Sequence, residues 1–381
     1  MRFVVFGLTA SSTWGNGHAT LWRGLARALG EEGHALLFLE RDQPRYAAHR
    51  DLLQLPGADL RIYAELDDVR TEAVAALDAA DVAMVTSCCP DALEASELVR
   101  ASRARLKAFY DLDPRVTTAG AAAGDGVPWI GEAGLVGFDL ALSFSGGGAL
   151  ELLRELGATL AAPLHGSVDP AVHRPCDAAV PFRGDASYLG TWALARQPGL
   201  ERLFLGPAAA MADRTFVLAG SMYPDDFPWR PNLRYVRDLE PALHPAFFCS
   251  SPLTVSVTRP ELAALGYCPS PRLFESAACG VPVLSDWFEG LDAFFAPGEE
   301  VLVARSLEEA IEAIASPREE LAALGRRARE RALAQHTAAA RARELVRLCE
   351  AAARGEAGPA RPARGPDDGR DHEHPWTIEG R

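Results

Sequence analysis

The chain has 381 residues, 48% hydrophobic and 24% charged, which is ample material for two globular cores. Its net charge of −14 excludes the basic face that nucleic acids and anionic membranes require, although a few arginines and helix N-termini can still bind a small anion. Apolar runs fall short of the about 20 residues of a membrane span, and MRFVVFGLTA has a strand pattern rather than that of a signal peptide. The seven cysteines form no C-x-x-C pair, so we expect reduced thiols and a cytoplasmic protein.

Short apolar runs alternate with amphipathic helical patterns through the first half of the chain. The predicted strands cover residues 2–8, 34–40, 59–63, 81–87, 105–111 and 138–145. The predicted helices cover residues 18–33, 66–79, 90–102 and 146–157. Alternation at this spacing is typical of a parallel sheet with helices on both faces.

The same pattern begins again after a proline-rich segment. The predicted strands of the second half cover residues 186–192, 214–220, 233–236, 253–258, 281–286 and 301–304. The predicted helices cover residues 195–209, 272–280, 306–315 and 317–353. Two alternating halves indicate an α/β protein in which two doubly wound, Rossmann-like domains face a cleft.

The composition along the chain suggests the boundaries of these units. We expect an N-terminal domain over residues 1–165, a linker over 166–182 and a second domain over 183–335. A helix over 336–354 is expected to return to the N-terminal domain. Residues 355–381 are rich in proline, glycine and charge and end in IEGR, which resembles an added protease site, so we expect a disordered tail outside the fold.

Two glycine-containing loops follow predicted strands, where parallel sheets bind their ligands. In TASSTWGNGHATLW, Gly15, Asn16 and Gly17 allow close approach of the backbone, and His18 at the start of a helix is a candidate general base. The alternative is a simple turn with a solvent-exposed histidine. In SFSGGGALELL, Gly146 and Gly147 suit a backbone contact with a sugar or phosphate, and a sharp turn is the alternative.

A third loop, PSPRLFESAACGVPVLSD (269–286), leads into a late helix. Arg272 and Glu275 are three residues apart, on one face of the first turn. An arginine beside a helix N-terminus can hold an anion, and an ionised glutamate can accept two hydroxyl hydrogen bonds from a ribose. The alternative is a surface ion pair worth under about 1 kcal/mol. The surrounding glycine and proline favour the functional interpretation.

This segment resembles the donor-binding region of GT-B glycosyltransferases. The similarity is greater to the bacterial branch named for the spore-maturation protein CgeB, on TVSVTRPELAALGYCPSPRLFE (254–275) and WFEGLDAFFAPGEEVL (287–302). SFSGGG, HGSVDP, YDLDP and YLGTWALARQP also resemble landmarks of that branch, so the likeness spans nearly all of residues 1–330. It implies a hexosyltransferase-type enzyme that moves a sugar from a nucleotide-diphosphate sugar to an acceptor hydroxyl or amine. By the same resemblance, residues 1–165 would be the acceptor-side domain and residues 183–335 the nucleotide-sugar-binding domain.

The resemblance also implies roles for single residues. Glu275 would hold the ribose hydroxyls, and Arg272, with Arg259 or Arg196, would neutralise the diphosphate in place of a metal. No cofactor is implied beyond the nucleotide-diphosphate sugar itself, which acts as co-substrate. The remaining donor-binding residues are Gly190, Thr191 and Ser270, whereas His18, Gly15 and Gly17 would lie across the cleft.

One departure from the pattern leaves the stereochemistry open. Many retaining GT-B enzymes carry a second glutamate eight residues before the ribose-binding one, and here that position is Tyr267. If the reaction inverts the sugar, His18 is the natural base and Asp113 a competitor. Asp111 and Asp113 form a D-x-D, which holds a metal in the other sugar-transferase architecture, but a metal-free cleft role for Asp113 is favoured here.

Two other functions fit the same outline. One is a nucleotide-sugar epimerase of the same two-domain build, which would convert its donor without an acceptor. The other is a non-catalytic two-domain ligand-binding protein, against which the Arg272 and Glu275 pair argues. The nucleotide base, the sugar, the acceptor and the oligomeric state are not encoded in any recognisable motif, and no nucleic-acid partner is expected.

Overall fold

The computed structural model describes residues 1–15, 17–124 and 126–356. Asn16, Asp125 and residues 357–381, the last of which hold nearly all of the predicted tail, lie outside the described residues.

The first domain is built on a seven-stranded sheet in which all neighbouring strands are parallel, in the order β3-β2-β1-β4-β5-β6-β7. Its strands are Arg2–Gly7 (β1), Ala35–Arg41 (β2), Asp59–Tyr63 (β3), Val82–Thr86 (β4), Leu106–Asp111 (β5), Leu140–Ser143 (β6) and Ala161–Pro163 (β7). The helices between them are His18–Glu31 (α1), Pro44–Ala47 (α2), Leu66–Asp78 (α3), Ala92–Ala101 (α4), Pro114–Ala123 (α5) and Gly148–Glu155 (α6).

The second domain has a six-stranded parallel sheet in the order β10-β9-β8-β11-β12-β13. Its strands are Ala186–Leu189 (β8), Phe216–Gly220 (β9), Leu233–Arg237 (β10), Thr254–Ser256 (β11), Val283–Ser285 (β12) and Leu302–Val303 (β13). Its helices are Gln197–Leu200 (α7), Gly206–Ala210 (α8), His244–Phe248 (α9), Pro260–Leu265 (α10), Pro271–Ala278 (α11), Leu307–Ala315 (α12) and Arg318–Gln335 (α13).

Both faces of the first sheet are covered. In β1, Phe3 and Val5 belong to the hydrophobic core beneath α1, while Val4 and Phe6 belong to the core on the opposite face. Because successive strand side chains point to opposite sides, a strand buried on both faces must be apolar throughout. The prediction of two doubly wound, Rossmann-like domains is therefore confirmed.

The last helix, Ala338–Ala353 (α14), packs against α1 in the first domain. Leu345 and Leu348 are buried in the same core as Phe3. The chain enters α14 through a short bridge, in which the Val168 amide donates to the His336 carbonyl at 2.9 Å and the Ala338 amide donates to Val168 at 2.8 Å. The linker and the start of α14 are therefore held together.

The predicted helix over 195–209 is interrupted in the structure. A 3₁₀ turn at Leu194–Arg196 leads into α7, a π-helical turn at Glu201–Leu205 and α8. Pro198 and Pro207 lie inside this stretch and lack the amide that a continuous helix needs. Four helices that begin around a proline, α2, α5, α9 and α10, have no counterpart among the predicted elements.

Two buried histidines, His165 just before the linker and His336 between α13 and α14, make the stability of the fold depend on pH. Burial lowers the pKa of His165 to about 3, and the Arg341 charge adds to this effect. Burial also lowers the pKa of His336 to about 4, with smaller contributions from Arg341 and Arg331. Both side chains are neutral in the fold above these values, whereas an unfolded histidine binds a proton below a pH of about 6.5.

We therefore expect the free energy of unfolding to fall as the pH drops from 6.5 towards 4. At pH 5 each of the two histidines should contribute a loss of about 2 kcal/mol relative to pH 8. Urea denaturation at a series of pH values measures this slope, and His336→Phe should flatten it. An unchanged slope in that variant would show that His336 is not one of the groups responsible.

Candidate functional site

The two sheets share one topological feature that locates a site. In each sheet the strand order reverses beside the first strand, between β1 and β4 and between β8 and β11. Ligands of open α/β sheets bind outside the carboxyl ends of the strands at such points. Helix α10 packs on α5 and α6, so these edges of the two domains are neighbours.

The loop after β8 is held by backbone contacts with the loop after β9. The Gly190 amide donates to the Ala219 carbonyl at 2.9 Å, and the Tyr223 hydroxyl donates to the Gly190 carbonyl at 2.8 Å. Gly220 has a φ of +143°, and a Cβ there would lie 2.0 Å from the Gly190 carbonyl oxygen. Thr191 lies beside them, its hydroxyl 3.4 Å from that of Ser221.

Three predicted donor-binding arginines converge on this edge. Burial lowers the pKa of Arg272, and the Arg196 charge lowers it further. Burial also lowers the pKa of Arg259, followed by the charges of Arg196 and Arg115. Arg115, at the start of α5 in the first domain, is a member of the group that sequence reasoning missed. We call Arg115, Arg196, Arg259 and Arg272 the arginine group.

The positive charges of the arginine group have few partners in the described part of the protein. Within the described part of the chain, none of its members forms an ion pair with a carboxylate. The buried Nε atoms of Arg196 and Arg272 find no hydrogen-bond partner there either. Arg196 does donate from Nη1 to the Thr191 carbonyl at 3.1 Å, which fixes its direction. Partly buried cations without ion-pair partners are costly, so the arrangement suits a bound anion.

Helix α11 carries the predicted ribose-binding carboxylate. Pro271 is its first residue and Ser270 its N-cap, whose side chain makes no capping hydrogen bond with any described residue. The apolar face of the helix is buried, which holds Glu275 in place with 8% of its surface exposed. The ligand atoms of His173, His244 and Glu275 lie within 4.8 Å of one another, a grouping that sequence reasoning missed.

His18, the predicted base, is the first residue of α1 in the first domain. Burial lowers its pKa to about 4, so the imidazole is neutral at physiological pH. Its buried Nδ1 has no hydrogen-bond partner among the described residues. Gly15, at a φ of +67°, occupies the left-handed region that favours glycine, and Gly17 is the N-cap of the helix.

A buried carboxylate that sequence reasoning missed organises the loop before His18. Glu40, at the end of β2, accepts from the Thr9 hydroxyl at 2.8 Å and from the Ala10 amide at 2.7 Å. It also accepts from the Ser11 amide at 3.0 Å and from the Ser11 hydroxyl. The signal in the sequence was an acidic residue closing the apolar run HALLFLE, which places a charge at the binding edge of the sheet.

The D-x-D pair divides into one buried and one cleft-side carboxylate. Asp111 is 1% exposed, accepts from the Asp113 amide at 3.1 Å, and has a pKa raised to about 7 by burial. Asp113 is the N-cap of α5; burial raises its pKa, and the charges of Arg115 and Arg259 oppose that rise. Asp113 therefore faces the arginine group, whereas Asp111 supports the turn.

The glycines after β6 contact the second domain. The Gly146 amide donates to the Tyr267 carbonyl at 3.0 Å. A Cβ on Gly147, whose φ is +53°, would lie 2.1 Å from the Leu265 carbonyl oxygen. Close approach of two backbones accounts for these glycines in the fold, while their predicted contact with a sugar or phosphate stays a prediction. Tyr267 itself has a φ of +47°.

Comparisons with known proteins show which family and which solved structures this chain is similar to. Residues 196–347 match the model of the glycosyl transferase-like family. Sucrose-phosphate synthase from Thermosynechococcus elongatus is similar in structure, with a TM-score of 0.62 at 14% identity over 92% of this chain and 98% of that one. Comparison with curated proteins by sequence gives no match.

Two further solved structures contain ligands. Anabaena HepE in complex with UDP-glucose gives a TM-score of 0.64 at 11% identity and covers 92% of this chain and 100% of that one. The catalytic domain of starch synthase IV from Arabidopsis thaliana, bound to ADP and acarbose, gives a TM-score of 0.62 at 12% identity. The match covers 93% of this chain and 99% of that one.

Every helix in the described ranges is too short or too polar to cross a bilayer. The expected fold is confirmed by these likenesses, which extend over more than nine-tenths of the chain. The chain has the two-domain GT-B fold, and residues 196–347 are similar to the glycosyl transferase-like family.

Proposed function

We propose that this protein transfers a sugar from a nucleotide-diphosphate sugar to an acceptor hydroxyl or amine, without a metal ion, as a hexosyltransferase-type enzyme of the CgeB-like branch. The GT-B fold and the family match support a glycosyltransferase. Neighbours that contain UDP-glucose or ADP support a nucleotide-sugar donor. The seven free thiols fit the cytoplasmic location that we propose with it.

The observation that carries the proposal is the arginine group. Its guanidinium groups are partly buried near one another and form no ion pair with a carboxylate in the described part of the chain, so they repel one another unless an anion binds. A diphosphate carries the charge that would compensate them, and its charge grows as it leaves the sugar. Donors aimed at charge that develops in the transition state stabilise it most, which is the role otherwise given to a metal.

The remaining residues fit around such a donor. Glu275 would accept the hydroxyl hydrogens of the ribose, and Ser270, Gly190 and Thr191 would contribute at the start of α11 and the end of β8. His18 would accept the acceptor's proton on the far side of the cleft, with Asp113 as its competitor. The first domain would thereby bind the acceptor.

A nucleotide panel tests the proposal. We expect one of UDP, ADP, GDP or dTDP to raise the melting temperature of the full chain while the corresponding free base does not. For a ribonucleotide, Glu275→Gln should reduce the preference for the ribose form over its 2′-deoxy form, since one acceptor oxygen is lost. Glu312→Gln, at an exposed position on α12, is the matched control. A panel in which no nucleotide stabilises the protein would contradict the proposal.

Loss of His18 should separate chemistry from donor binding. We expect His18→Ala to lower the rate of nucleoside diphosphate release by about 10²- to 10⁴-fold, the usual contribution of a general base. The affinity for the nucleoside diphosphate should stay unchanged, because the arginine group and Glu275 are intact. A rate equal to that of the parent would remove His18 from the mechanism and favour Asp113.

A further inference from the structure

We propose that His173, His244 and Glu275 form a binding site for a zinc-class divalent cation, separate in purpose from sugar transfer. One ligand atom from each residue is available, and the three atoms lie within 4.8 Å of one another. Two imidazoles and one carboxylate are a donor set that Zn²⁺ accepts, with a fourth position left open.

His173 points to a ligand independently of this grouping. Its side chain is 4% exposed, and neither ring nitrogen has a hydrogen-bond partner among the described residues. A buried polar atom without a hydrogen-bond partner destabilises the fold, and His173 has two such atoms among the described residues. Coordination through one nitrogen would remove that cost at one of them.

The backbone holds the three ligands on separate elements. His173 follows a turn of the linker in which its amide donates to the Asp169 carbonyl at 2.8 Å. His244 begins α9, and Glu275 lies in the middle of α11, against which α9 packs. Ligands at about 2.0–2.2 Å from a tetrahedral zinc lie about 3.4 Å apart, so a small inward movement completes the site.

The donor atoms also select the class of metal. Mg²⁺ prefers oxygen ligands in an octahedron, whereas imidazole nitrogen suits Zn²⁺ and its transition-metal neighbours. A metal here would join the linker to α11. It would also occupy the carboxylate that we assign to the ribose, so metal and donor should exclude each other. That exclusion rests on the proposed function, whereas the metal site does not.

The test uses the full chain with His372→Ala and His374→Ala as background, because those tail histidines could bind metal themselves. After treatment with a chelator, we expect equilibrium dialysis to give one Zn²⁺ per chain, and added Co²⁺ to show the visible absorption of a tetrahedral site. Loss of an outer-shell partner alone weakens metal sites by about 10- to 100-fold, so His173→Ala and Glu275→Gln should each weaken binding by at least about 100-fold.

Exposed His49 provides the control, since His49→Ala should bind metal as the background protein does. Circular dichroism without metal shows whether each variant is folded. If His173→Ala does not fold, the Zn²⁺ affinity of Glu275→Gln tests the site instead. Background protein that binds no Zn²⁺, or a folded His173→Ala variant that binds it equally well, would overturn the proposal. Nucleotide binding in the presence of the chelator reports on the proposed function alone, and loss of bound Zn²⁺ on adding the nucleotide supports the shared carboxylate.

Discussion

Arg272→Ala should abolish most nucleotide binding without destabilising the protein. Truncation of a buried charged residue that pairs with a ligand costs about 2–5 kcal/mol, so the affinity for the nucleoside diphosphate should fall by about 30-fold or more. The same change removes a partly buried cation whose pKa is already lowered by desolvation and by the charge of Arg196. The free energy of unfolding without ligand should therefore fall by less than about 1 kcal/mol, or rise.

A large loss of nucleotide affinity with little loss of stability distinguishes a binding residue from a structural one. Isothermal titration measures the affinity, and urea denaturation without nucleotide measures stability. Arg318→Ala is the control, because Arg318 is 73% exposed in the same domain and lies 3.4 Å from Asp185 as a surface ion pair. Its loss should change neither quantity appreciably. A strongly destabilised Arg272→Ala variant that still binds the nucleotide would contradict the assignment.

Glu40→Ala should have the largest effect on stability. The buried carboxylate accepts four hydrogen bonds from Thr9, Ala10 and Ser11, and its loss leaves those donors unsatisfied. Hydrogen bonds to a charged group are worth about 1.5–3 kcal/mol each, so we expect a loss of at least about 3 kcal/mol in the free energy of unfolding. The loop that leads to His18 loses its anchor as well, so catalysis should fall with stability.

Two matched variants make this expectation specific. Glu40→Gln keeps one acceptor oxygen and should lose less stability than Glu40→Ala. Glu72→Ala removes an exposed carboxylate that pairs with Arg61, and should change stability by less than about 1 kcal/mol. Urea denaturation gives the free energy of unfolding of all three variants. Equal stability of Glu40→Ala and Glu72→Ala would show that the hydrogen bonds of Glu40 do not hold the loop.

The repeated strands were predictable because their signal is local. A run such as RFVVFGL is apolar on both faces, and that pattern alone indicates a buried parallel strand. Helix α5 was not predicted, because DPRVTTAGAAAG mixes a proline start with glycine and threonine, and its helical state depends on packing against α6 and α10. Local propensity is weak wherever tertiary contacts decide.

The residues of the candidate site were likewise predictable only where the signal is local in the sequence. Arg272 and Glu275 could be selected because their spacing in one helical turn is visible in the sequence. Arg115 and His244 could not, because they meet the site only when two distant segments fold against it. Gly146 and Gly147 were predicted to contact a sugar or phosphate or to form a sharp turn, and only the structure shows Leu265 and Tyr267 as their neighbours.

The central claim is that the arginine group binds the diphosphate of the donor between the two domains. A crystal structure of the chain soaked with its tightest-binding nucleoside diphosphate tests this most directly. We expect the phosphates within hydrogen-bond distance of the guanidinium groups of Arg196 and Arg272, and the ribose hydroxyls on Glu275. A nucleotide bound elsewhere on the molecule, with these guanidinium groups contacting only water, would contradict it.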